Sequence, residues 1–163
     1  MEKLEAQKEI REEIEEESLK GKYLTFIVCE ETYGIQIRYV TEIVGIQTIT
    51  EMPEMPEYIK GVINLRGKII PVMDVRLRFG MQEHVYDDRT CIVVIDYNEI
   101  TYGLIVDSVS EVIAIGEDSI TETPNLYAES SGFVKNIGKI DAVVILLLDC
   151  ERLLMERTAS ILR

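Results

Sequence analysis

Two stretches of this chain are copies of one another, and that repeat constrains the fold more than any other feature. Residues 24–46 align with residues 93–115 at a constant shift of 69 and without a gap. Glu30 meets Glu99, Thr32 meets Thr101, Tyr33-Gly34 meets Tyr102-Gly103, Val40 meets Val109, Glu42 meets Glu111 and Ile46 meets Ile115, so seven of 23 positions are identical. Further on, Gly61, Gly67 and Lys68 align with Gly132, Gly138 and Lys139. After a four-residue insertion, Ile70 and Asp74 align with Ile145 and Asp149. Self-similarity at one period means a single supersecondary unit used twice. A unit of about 70 residues holding roughly five short strands is too small for a large sandwich and suits a small closed barrel. Closure also removes the unpaired edges that so many short strands would expose.

The local texture agrees. YLTFIVCE and YGIQIR from Tyr23, and TCIVVIDY, ITYGLIVD and VSEVIAI from Thr90, are rich in β-branched and aromatic residues. In RYVTEIVGIQTIT the pattern allows one helical turn at Tyr39–Glu42 and then a strand from Ile43. Pro53 and Pro56 interrupt the chain, because neither can donate to a ladder. GVINLR and IIPVMD flank Gly67-Lys68 as a hairpin, and VRLRFG reads as a short helical segment closed by Gly80. AVVILLLD is a last strand, and CERLLMERTASILR reads as a C-terminal amphipathic helix. The expected fold is mainly β: two similar five-stranded barrels with short helices and a C-terminal helix. The expected boundaries are an acidic extension at 1–21, a first barrel at 22–80, a polar linker at 81–89 and a second barrel with its helix at 90–163. The short linker suggests that the two barrels share one core. Leu4, Ile10 and Ile14 give the extension only a thin apolar stripe, which fits a solvated helix or a frayed tail. A helix docked over a barrel mouth is the alternative.

Charge and cysteine content narrow the function. Seventeen basic against 30 acidic residues give −13, which excludes nucleic acid and anionic membrane as expected partners. No apolar run approaches the ~18 residues of a membrane span, and the charged N-terminus has no signal-peptide core. Cys29, Cys91 and Cys150 are odd in number and widely spaced, as reduced thiols in a cytoplasm are.

The catalytic inventory is thin. His84 is the one histidine, so no pair of histidines can act together. GxSxG, GxxxxGK[ST] and GxGxxG are absent. The acids Asp87, Asp88, Asp96, Asp107, Asp141 and Asp149 show no recurring ligand spacing and read as strand ends at the solvent edge. No metal, cofactor or catalytic residue is assigned. A binding surface then becomes the natural expectation. Ile37, Val40 and Ile43 recur at spacing three, off the strand period. The residues alone leave them as either barrel core or exposed contacts. Met52 and Met55, in EMPEMP, are equally either gap filler or an adaptable surface.

The run IKGVINLRGKIIPVMDVRLRFG at 59–80, preceded by EETYGIQIRYVTEIVG at 30–45 and echoed by YGLIVDSVSEVIAI at 102–115, resembles the CheW family of chemotaxis coupling proteins. The likeness covers about residues 20–157, with Val75 standing where a Leu is usual and the 120–135 loop unmatched. The resemblance implies two SH3-like five-stranded barrels and no catalysis. It implies a free-standing adaptor, since the chain leaves no room for a fused receiver or kinase. Such an adaptor bridges the cytoplasmic tips of transmembrane chemoreceptors to the regulatory domain of the histidine kinase CheA, in arrays beneath the membrane and with no insertion into it. Matched residue by residue, the receptor groove takes Leu24, Ile37, Val40, Ile43 and Val109, with Glu42 and Arg66 at its rim. Apolar anchors several residues apart are what a docked helix needs. Gly61 and Gly67 are expected to serve backbone turns, and Met52 and Met55 to contact the kinase. Two other readings stand beside this one. In the rival reading the groove carboxylates Glu42, Asp107 and Glu111 converge for small-molecule or acid–base chemistry, with raised pKa values. A third reading keeps the adaptor and places it in a kinase array outside chemotaxis.

Overall fold

The computed structural model describes residues 2–122 and 131–155. After the helix α1 (Glu2–Leu19) come β1 (Lys22–Val28), β2 (Glu31–Gln36), a 3-10 turn at Ile37–Tyr39 and β3 (Val40–Gly45). Next are β4 (Ile59–Leu65), β5 (Lys68–Asp74), α2 (Val75–Arg78), β6 (Cys91–Tyr97), β7 (Ile100–Val106) and β8 (Ser108–Ala114). The described chain closes with β9 (Ile120–Glu122), β10 (Val134–Ile140), β11 (Val143–Leu148) and α3 (Cys150–Leu154). The part of the expected C-terminal helix beyond Met155 lies outside the described residues, as do residues 123–130 of the 120–135 loop.

The repeat is visible in the turns. Cys29-Glu30 joins β1 to β2 with φ of 50° and 68°, and Asn98-Glu99 joins β6 to β7 with φ of 50° and 67°. Two positive φ values in a two-residue loop match the twist of the strands they join. Tyr33-Gly34 and Tyr102-Gly103 recur because a Cβ at Gly34 would lie 2.9 Å from Leu147 and one at Gly103 2.8 Å from Ile92 and Val72. Asp74 caps α2 by accepting the Leu77 N–H at 3.4 Å, and its mate Asp149 caps α3 by accepting the Arg152 N–H at 3.3 Å.

Strand pairing corrects one alignment. Ile59 faces Met73 and Leu65 faces Lys68, while Val134 faces Leu148 and Ile140 faces Val143, with a bulge at the same place in both hairpins. The whole hairpin therefore repeats at one shift, which pairs Arg66 with Asp141 (φ 53° at each) and Ile63, not Gly67, with Gly138. With the hairpin at a shift of 75 and the preceding strands at 69, the insertion is six residues and falls before the hairpin, in the unmatched loop.

The sheets also overturn the expected division at 81–89. One has the order β8-β1-β2-β11-β10-β9 and the other β3-β6-β7-β5-β4. The second sheet thus takes five consecutive strands, β3–β7, and the first takes the strands on either side of them. The cause is local: the 3-10 turn at Ile37–Tyr39 carries the chain from one sheet to the other, and the step at Asp107, between β7 and β8, carries it back. Thr50, just past β3, bridges to Val62 of β4 and closes the five-stranded sheet.

Burial on both faces explains the unbroken apolar runs. In β6, Ile92 and Val94 point into the interior of their own barrel, with Ile63, Ile70, Val72 and Ile105. Val93 and Ile95 point the other way, into a central cluster shared with Leu24, Phe26, Val28, Tyr33 and Ile35 of the other sheet. A smaller cluster of Ile115, Ile145 and Leu147 fills the other barrel. Arg78, buried, donates from Nε to Leu153 O at 2.9 Å and from Nη2 to Met155 O at 2.8 Å, tying α2 to the end of α3. The N-terminal extension is a helix whose apolar residues Leu4, Ile10 and Ile14 are all exposed.

Candidate functional site

The spacing of three in β3 comes from a bulge. Val40 lies opposite Ile95, Glu42 opposite Val94 and Ile43 opposite Val93, so Thr41 is the extra residue. Its hydroxyl donates to Val94 O at 3.2 Å. Directly paired residues project on the same side of a sheet, and Ile95 and Val93 face the central cluster. Val40 and Ile43 therefore share that face although three residues apart. Val40 is half-buried against the cluster, and Ile43, on the outermost strand, remains 43% exposed. Ile37, in the 3-10 turn, and Val109, opposite Phe26 on β8, also pack half-buried on the cluster.

Leu24 is a correction. At 2% exposure it belongs to the core, flanked by Ile35 on β2 and Val112 on β8, and it offers no surface to a partner. Val112 is the residue that the sequence reading passes over. It is 51% exposed, and the shift that matches Val40 with Val109 matches Ile43 with Val112.

A polar patch stands at the mouth of the barrel formed by β3–β7. Arg66 occupies the β4–β5 turn, and its exposed guanidinium is bound by the carboxylate of Glu42, reaching from β3. The Gly67 N–H donates to Asn64 Oδ1 at 2.9 Å, which fixes that turn. Lys68 Nζ donates to Thr101 Oγ1 at 2.7 Å, and Thr101 in turn donates to Asp96 at 2.5 Å. These side chains line a depression of about 390 Å³. Gly67 is a turn residue, but Gly61 sits at the β4 bulge, with φ 145° and a position where a Cβ would lie 2.1 Å from Thr50 O. Met52 and Met55 lie between β3 and β4, are 48% and 40% exposed, and join none of the three apolar clusters.

The three carboxylates do not converge. Glu42 is committed to Arg66. Asp107 accepts from Arg76 Nε at 2.8 Å, from Arg76 Nη2 at 2.5 Å and from the Cys29 N–H at 2.8 Å. Burial pushes the Asp107 pKa up, but these hydrogen bonds outweigh it and hold the carboxyl below its ordinary value. Glu111 is exposed, with its backbone N–H on Thr25 Oγ1. Among the described residues no cluster of His, Cys, Asp and Glu could hold a metal ion, and no helix is long and apolar enough to cross a membrane.

The comparisons with known proteins agree with this arrangement. The family profile of the CheW-like domain matches residues 22–158. The chemotaxis protein CheW of Klebsiella aerogenes is 33% identical over 139 residues, covering 85% of this chain and 84% of that protein. CheW of Bacillus subtilis is 33% identical over 140 residues, covering 85% and 90%. The crystal structure of the scaffolding protein TtCheW from Thermoanaerobacter tengcongensis superposes with a TM-score of 0.79 at 39% identity, covering 84% of this chain and 94% of that one. A family profile spanning most of the residues, relatives matched over most of their length and a shared fold carry one conclusion: the chain belongs to the CheW family of chemotaxis scaffold proteins.

Proposed function

We propose that this protein is a non-enzymatic adaptor that couples the cytoplasmic tips of chemoreceptors to the regulatory domain of the chemotaxis kinase CheA, in arrays beneath the membrane. The observation that carries the reading is the bulge at Thr41, which turns Val40 and Ile43 onto one face at the margin of the central core. An apolar helix laid there buries both side chains against a surface already backed by Ile95 and Val93. Glu42, on the other face of the same strand, orients the Arg66 guanidinium for a polar group on a partner. Met52 and Met55, exposed on a separate segment, are the proposed contacts with the kinase.

Calorimetric titration with a receptor-tip fragment, and separately with the kinase regulatory domain, tests the reading. Both are expected to saturate. Val40→Asp should weaken receptor binding by about tenfold or more, because docking would desolvate the new charge, while kinase binding stays near that of the wild type and the variant still unfolds cooperatively. Failure to bind either partner at concentrations well above micromolar would sink the proposal.

A further inference from the structure

The methionines of this chain stand in contrasting surroundings. Met73 is buried in the central cluster, whereas Met52, Met55 and Met155 are exposed. A thioether open to solvent is oxidised to a sulfoxide by peroxides, and one sealed in a core is protected. Met52 and Met55 also stand together. Residues 52–55 form a turn with Pro53 and Glu54 at its centre and φ of 61° at Glu54. The Cα atoms at the two ends of such a turn lie within about 7 Å of each other, so both thioethers belong to one patch of surface. Glu51, Glu54 and Glu57 are exposed around them, and the two methionines supply the long apolar side chains of a segment that is otherwise charged or proline. Neither joins an apolar cluster. A change of polarity there alters what the segment offers to a partner and not what holds the fold.

We infer that Met52 and Met55 form an oxidation site, and that their sulfoxides release the kinase. The inference rests on the kinase contact assigned above and adds its regulation. The Sδ lone pair attacks one oxygen of hydrogen peroxide and the O–O bond breaks as the S–O bond forms. The hydroxide that leaves takes the proton of the transferred hydroxyl and becomes water. The thioether is oxidised by two electrons and the peroxide is reduced by two. Methionine sulfoxide reductase reverses the step with two thiols, which end as a disulfide and water. The sulfoxide oxygen is a strong acceptor. Water satisfies it on the free protein, and an apolar contact strips that water away, so binding weakens while the fold is kept.

The test treats the whole protein with hydrogen peroxide, then with dithiothreitol to return oxidised thiols such as the exposed Cys29 to their reduced form. The product is titrated calorimetrically with the kinase regulatory domain and with the receptor-tip fragment. Peptide masses should show one added oxygen at Met52 and one at Met55, and none at Met73. Kinase binding is expected to fall about tenfold, with receptor binding and the thermal midpoint unchanged, and the reductase with thiol should restore it. The double variant Met52→Leu with Met55→Leu should bind the kinase like the untreated wild type and keep that affinity after peroxide. Met155→Leu should give no such protection. Full oxidation of both methionines with unchanged kinase affinity would overturn the inference, as would a loss that persists in the double leucine variant. Met52→Asp with Met55→Asp separates this failure from that of the contact itself. If the aspartates weaken kinase binding and the sulfoxides do not, the contact stands and the switch falls. If neither weakens it, the kinase binds elsewhere and both readings fall.

Discussion

At position 61 a single methyl group decides whether a barrel can close. A Cβ there would meet the Thr50 carbonyl at 2.1 Å, and Thr50 is the residue that bridges to Val62 and joins the sheet's ends. With φ at 145° added to the collision, Gly61→Ala should destabilise the protein by more than about 3 kcal/mol, read from denaturant unfolding. The sequence shows that position 61 needs a glycine for its backbone, but not that the reason is the approach of Thr50. Leu24 fails differently. A leucine in a strand looks the same whether its strand is outermost or second from the edge, and the pairing with β8 as well as β2 sets Leu24 inside the sheet, on the face of the central cluster. Asp107 carries a pH signature. Its pKa is held down in the folded state, so the bridge to Arg76 contributes fully above the ordinary carboxylate range and is lost as pH falls through the depressed value. Asp107→Asn should cost about 1–2 kcal/mol at neutral pH, and its gap to the wild type should close as pH drops below about 4. A gap independent of pH would show that packing, not charge, holds the pair.

Elements differ in how much of their stability is their own. α1 has 18 residues and no buried side chain among those described, and it carries like charges four apart at Glu5 and Glu9, Glu9 and Glu13, and Glu13 and Glu17. No basic residue sits in its last turn to offset the helix dipole. Such a helix draws little support from the rest of the protein, so removing residues 1–19 should change stability by less than about 1 kcal/mol. A larger loss would mean that α1 packs on the barrels in solution. β3 is the opposite case, a strand whose proposed contact face comes from a defect in its regularity. Its apolar spacing of three is plain in the sequence and fits a helical turn or a bulged strand equally well. The ladder with β6 decides between them.

Over the whole molecule, the repeat, the two barrels and most strand limits were legible because each rests on local residues: turn pairs, β-branched runs and capping aspartates. The exchange between sheets was not. β3 and β8 carry matching patterns, and a pattern cannot state which of two similar neighbours a strand will join. Fragments 1–80 and 81–163 each lack strands that the other holds. Neither should fold alone, and the two mixed together should recover a single cooperative transition in circular dichroism. Independent folding of either one would contradict the observed strand order. The exchange also has a history written into it. Two identical units trading their third strands would make a swapped homodimer, and joining them end to end makes the partner permanent and frees each half to mutate alone. A homodimer must repeat any bridge at both of its symmetric places. Here the mates of Arg76 and Asp107 are Glu151 and Arg38: the charges are inverted across the pseudo-axis, which two identical chains could not carry.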